Sequence, residues 1–155
     1  MYRSILAGGT ILLLAACATE PAKAPAPRTQ LTRDDCYTVK PYKPLPIEKP
    51  KKDVPDIYKA FAGKWVKGAW DGYVCHDLVV MDVDKQGDVT LFDAHGPGFG
   101  YEATGFTRKG KIDKNGHLTV RKGDAMVDYW IVDGKMHGIR REGEAKSEVI
   151  LIRPS

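Results

Sequence analysis

Between Asp124 and Val132 the sequence DAMVDYWIV alternates. An extended chain therefore places Ala125, Val127, Tyr129 and Ile131 on one face and Met126, Asp128, Trp130 and Val132 on the other. Period-two patterning of this length predicts a β-strand with two unlike faces. Similar apolar or β-branched segments recur as HDLVVMDV, VTLFDAH, FTRKGKI, HLTVRKG, MHGIRRE and SEVILIR, and a further strand opens at Trp65. The breaks between them are turn chemistry: DKQGD, DKNG at Asp113–Gly116, DGK at Asp133–Lys135 and GEAK. Asp-Gly and Asn-Gly readily supply the positive φ that tight hairpins need. About eight antiparallel strands in series avoid exposed edges best by closing into an up-and-down barrel, so the chain is predicted to be all-β. A β-sandwich is the alternative. The one helix candidate is short, DIYKAFA at Asp56–Ala62, entered after Pro55 with Asp56 as N-cap.

The amino-terminal third has a different pattern. Arg3 precedes an apolar run from Ile5 to Ala16, shorter than the roughly twenty residues that a membrane-spanning helix needs and suited to a signal-peptide core. The run ends in Leu14-Ala15-Ala16-Cys17, followed by Ala18. This resembles the lipobox of bacterial lipoproteins. The resemblance implies cleavage before Cys17, diacylglycerol on its sulfur and acylation of the new amine, a set of chains that anchors stably. By the sorting rule of Gram-negative lipoproteins, Ala18 in place of Asp implies the outer membrane, facing the periplasm. Eight of the ten prolines then fall between Pro21 and Pro55. Proline-rich chain of this kind favours extended conformations and holds no helix. The expected organisation is a signal peptide over 1–16, a tether over 17–55 and a barrel domain over 56–155.

Charge divides at the same boundary. Residues 17–55 carry eight Lys/Arg against five Asp/Glu, while residues 56–155 carry fifteen of each. A nucleic-acid-binding domain concentrates its basic excess on the fold, so that class is excluded as a partner. With Cys17 assigned to lipid, Cys36 and Cys75 remain as an even pair in an oxidising compartment, and a disulfide is their simplest use. Such a bond would turn the chain after Cys36 into a strap on the domain surface. No Cys-x-x-Cys occurs, and His76, His95, His117 and His137 lie about twenty residues apart, which is no metal-site spacing. Neither a metal nor a cofactor is expected.

Gly63-Lys64-Trp65 follows the short helical turn and opens the first strand, and Arg153 closes the last in ILIRPS. This is similar to the lipocalin-like (calycin) barrels, in which a Gly-x-Trp starts the first strand and a cation from the closing strand covers the tryptophan. The resemblance implies that Gly63 admits a close chain entry, that Trp65 plugs the barrel floor and that Arg153 lies over its ring. AWDGYVCHDLVV followed by GDVTLFDAHGPG also resembles a small domain of bacterial envelope proteins, which implies a fold and no activity. Trp70 is expected to pack in the core or at its rim.

HGPGFGYEATG, His95 to Gly105, has three glycines before Glu102 and lies between strands. It is the candidate binding loop, with His95, Phe99, Tyr101 and Glu102 as its contact residues. Nucleophile elbow, phosphate loop and His-Glu-x-x-His motifs are all missing, so the chain is not expected to be an enzyme. The expected function is a membrane-anchored, non-catalytic binding module for a small ligand or an envelope protein. An inhibitor of secreted proteases or lysozyme is the second reading, and an envelope enzyme the third.

Overall fold

The computed structural model describes residues 32–98 and 100–155. The segment expected to be a signal peptide, Cys17, the first part of the expected tether and Phe99 lie outside the described residues. A four-residue helix, α1 (Asp56–Lys59), leads into eight strands: β1 (Gly63–Trp70), β2 (Val74–Val83), β3 (Asp88–His95), β4 (Thr104–Ile112), β5 (His117–Lys122), β6 (Ala125–Val132), β7 (Lys135–Glu142) and β8 (Ala145–Leu151). Each strand pairs antiparallel with the next, in the order β1 to β8. The first and last then meet: Val66 N–H donates to Ile152 O at 2.8 Å and Ile152 N–H to Val66 O at 3.0 Å. The result is a nearly closed up-and-down barrel. Among the described residues no helix is long and apolar enough to cross a membrane.

The inward phase of the strands fills one end of the barrel. Leu78, Val80, Val89, Leu91, Ile112 and Leu118 form a buried cluster with Trp65, Met136 and Leu151. Trp65 sits at the floor, its indole N–H donating to Phe61 O at 2.8 Å. The Arg153 guanidinium lies 3.7 Å from the Trp65 ring centroid and donates to Ala60 O at 2.6 Å and Ala62 O at 2.8 Å. One cation thereby satisfies carbonyls at the end of the helical turn and covers the plug. Gly63, at φ 101°, lies so close to that guanidinium that a Cβ would stand 3.0 Å from its Nη1.

Two local features depart from the sequence expectation. The helix stops at Lys59 instead of Ala62, and Asp56 lies inside it, with Pro55 in the N-cap position. Burial of Phe61 and the bond from Trp65 back to its carbonyl take the chain out of helix and into the floor. In addition, β1 carries a bulge between Trp65 and Gly68, where Lys67 adopts φ 61°. A Cβ on Gly68 would meet Val149 Cγ2 at 2.8 Å and His76 O at 2.9 Å, so β1 bends inward where only glycine fits.

Outside the barrel, a strap runs over β1–β3. Cys36 and Cys75 form a disulfide with their Cα atoms 5.3 Å apart. Beyond it, Thr38 Oγ1 donates to Asp77 Oδ2 at 2.7 Å, and Glu48 N–H donates to Met81 O at 2.8 Å. The strap explains why Val79 and Ala94, on the outward phase of β2 and β3, are nonetheless buried.

Candidate ligand-binding site

Away from the Trp65 floor, the barrel interior changes character. The hairpins at this end join β1 to β2, β3 to β4, β5 to β6 and β7 to β8, and the inward residues near them are polar. They include His76 on β2, Asp93 and His95 on β3, Arg108 on β4, Lys122 on β5, Tyr129 on β6, Arg140 on β7 and Ser147 on β8. Trp70, at the end of β1, packs among them, its ring 5.2 Å from that of His76.

Asp93 is the hub. It is 0 % exposed. Its Oδ1 accepts from Lys122 Nζ at 2.6 Å and its Oδ2 from Arg108 Nε at 2.7 Å, while His95 Nε2 lies 3.2 Å from Oδ1. Burial acts to raise the Asp93 pKa, but the Lys122 charge and the His95 hydrogen bond outweigh it and hold the carboxyl well below the usual range. Burial likewise pushes Lys122 down to about 8, against the opposing pull of Asp93. His76 is held neutral, first by burial and then by the charges of Lys122 and His95.

Neutrality of His76 orders the hydrogen bonds. The Ala94 carbonyl, 3.1 Å from Nδ1, can only accept, so Nδ1 carries the proton and Nε2 accepts from the Tyr129 hydroxyl at 3.0 Å. The Tyr129 oxygen in turn accepts from Lys122 Nζ at 3.0 Å. Asp93, Lys122, Tyr129 and His76 thus form one chain in which each bond fixes the next.

Above this chain a pocket of about 300 Å³ opens, lined by Trp70, Val74, His95, Arg108, Lys122, Arg140 and Ser147. A larger hollow of about 950 Å³ lies between the strap and the outer face of the sheet, with Val39, Val79 and Phe92 among its walls. Its carboxylate, Asp77, is already taken by Thr38 and by the Lys67 N–H at 3.1 Å. The smaller pocket, where polar groups from several strands converge, is the better candidate.

His76, Asp93 and His95 bring three potential metal-ligating atoms within 4.8 Å of one another. The donor set does not fit a cation, because the ammonium of Lys122 already sits on the oxygen nearest both histidines and the His76 Nδ1 that faces it carries a proton. The histidine spacing in the sequence gives no hint of this meeting. Strand register makes it, placing His76 opposite His95 with the rings stacked at 4.9 Å.

The structure separates the residues that sequence grouped in the His95–Gly105 loop. His95 belongs to β3 and turns into the barrel mouth beside Asp93. Tyr101 is 77 % exposed on a tight turn in which Gly98 and Tyr101 exchange backbone hydrogen bonds at 2.9 and 3.1 Å. Glu102 is exposed and makes no pair with His95. Sequence reading missed Asp93, Arg108, Lys122, Tyr129 and Arg140. A signal was present: Asp93 follows Val89 and Leu91 in steps of two, and Lys122 follows Leu118 and Val120, so both charges stand in the buried phase of their strands.

A comparison with protein-family models finds no match, and searches of curated proteins and of solved structures likewise find none.

Proposed function

We propose that this chain is a non-catalytic binding module of the cell envelope, anchored in the outer membrane through acylated Cys17 and facing the periplasm, and that it takes a small ligand at the barrel mouth. The lipobox residues Leu14 to Cys17 support the anchor. The observation that carries the binding role is the 300 Å³ pocket at the polar end of a barrel whose other end is filled. The histidine chain does not suggest catalysis, since His76 Nε2 accepts from Tyr129 and Nδ1–H is spent on a carbonyl.

The test is native mass spectrometry of the full chain drawn from its own membranes with the anchor intact. Wild type is expected to carry a small-molecule adduct that Ser147→Phe, which fills the pocket, removes. A bare protein, or an adduct unaffected by Ser147→Phe, would overturn the reading. The exposed Tyr101 on its short hairpin favours a second reading, insertion of that tip into a hydrolase cleft. In that case inhibition of a periplasmic protease or of lysozyme would be lost in Tyr101→Ala and kept in Ser147→Phe.

A further inference from the structure

We infer that the barrel mouth recognises an anionic oxygen group, a carboxylate or a phosphate, on its small ligand, with Lys122, Arg108 and Arg140 as the binding cations. The inference rests on the mouth being the ligand site and adds the chemistry of what enters it.

Charge is the first argument. Asp93 carries one negative charge and takes two cations, Lys122 on one oxygen and Arg108 on the other. Arg140 meets Glu142 at the half-exposed rim. One positive charge is therefore left over inside a mouth where the Lys122 and Arg108 side chains are 6 % and 22 % exposed. A cation held there without a counter-charge is costly, and an entering anion relieves that cost.

Hydrogen-bond supply is the second, and it is independent of charge. Lys122 has three ammonium protons, and Asp93 and Tyr129 take two. Arg108 reaches Asp93 through Nε, which leaves its two terminal NH₂ groups without an acceptor among the described residues. The indole N–H of Trp70, a pocket wall 7 % exposed, is buried with no partner among the described residues. Buried donors without acceptors are rare in folded proteins. Around this one pocket unpartnered donors are in surplus. A neutral sugar or peptide brings both kinds of group, whereas a carboxylate or phosphate brings acceptors and charge together, and arginine forks match both geometrically. The volume, at the low end for ligand clefts, limits the ligand to a small molecule.

The experiment follows the three tryptophan indole N–H resonances of the full chain by NMR during titration with inorganic phosphate, with acetate, and with chloride at matched ionic strength. Phosphate or acetate is expected to shift the Trp70 signal saturably, and chloride to leave it in place; the tighter of the two identifies the oxyanion. Arg140→Gln, at the rim and outside the buried chain, should weaken binding at least tenfold with the spectrum otherwise folded, and Lys122→Met should abolish it. An oxyanion response no different from chloride, or one unchanged in Arg140→Gln, overturns the inference. If that happens while Ser147→Phe still removes a native adduct, the mouth remains a binding site for a neutral ligand. If the native adduct is missing as well, the binding reading falls with it.

Discussion

At the Trp65 end of the barrel, the interior is closed by apolar side chains under one cation, while at the Trp70 end the strands turn charges and hydroxyls inward. Both ends are buried, but they relate to stability in opposite ways. The floor gains from every square ångström of apolar surface it hides, and Arg153 there keeps its carbonyl partners and stays partly in contact with solvent. The mouth holds Asp93 and Lys122 where desolvation is expensive, and their mutual attraction at best offsets it. A fold seeking only stability would fill both ends alike. The difference marks the mouth as the part of the barrel shaped by something other than packing.

Substitution at each end should break this comparison most visibly. Trp65→Ala is expected to cost about 3–5 kcal/mol, as truncation of a large buried side chain does. Asp93→Ala should cost a similar amount, about 3–5 kcal/mol, because Lys122 and Arg108 lose their shared carboxylate. The two losses separate on rescue. Replacing Asp93, Lys122 and Arg108 together with Leu, Met and Met should restore most of the stability in urea unfolding, whereas no charge change should rescue Trp65→Ala. Failure of the triple variant to recover would mean that the mouth is a structural core in the same sense as the floor.

Acidification sharpens the contrast at the next level of effect. His76 is neutral in the fold and has its pKa well below the ordinary value of 6.5, so below that pH the unfolded chain binds a proton that the native chain does not. Stability should therefore fall as pH drops below 6.5, by up to about 1.4 kcal/mol per pH unit from this group. The Asp93 carboxyl, depressed in the fold, adds a loss only below its ordinary pKa of 3.8. Denaturant midpoints of wild type and His76→Gln between pH 7 and 5 measure the slope. The variant should be flatter, and equal slopes would place the acid-sensitive group elsewhere. The smallest effect is expected outside both ends: Tyr101→Ala should change stability by less than about 0.5 kcal/mol, as exposed positions do, and leave the mouth's oxyanion affinity unchanged.

The architecture was largely legible in the sequence because it is written locally. Alternation marked the strands, and the turn pairs Asp133-Gly134 and Asn115-Gly116 mark hairpins where Asp133, Gly134 and Gly116 do adopt positive φ. Cys36 and Cys75 could be paired by counting. The candidate site was not legible, for a physical reason. Asp93 and Lys122 are 29 residues apart and lie on strands separated by β4, so only the curvature of the closed sheet brings their tips together. His95 read as a loop residue because glycines follow it, yet its phase with Leu91 and Asp93 turns it inward. Charges standing in a core phase were the visible trace, and they say that something polar is buried without saying what meets it.

The seam between β1 and β8 has a consequence for how the molecule is made. Arg153 reaches back 93 residues to Ala60, and Ile152 pairs with Val66, so the final residues work as a latch. Until they are in place, β1 and β8 are both open edges, each able to accept a strand from a second copy. A chain emerging amino terminus first would carry the open β1 edge until Ile152 and Arg153 have been made, and such long-range closure is slow. The interval before the latch engages is when domain-swapped pairs and aggregates can form. A loss of Ile152 and Arg153 would extend that interval for the life of the molecule.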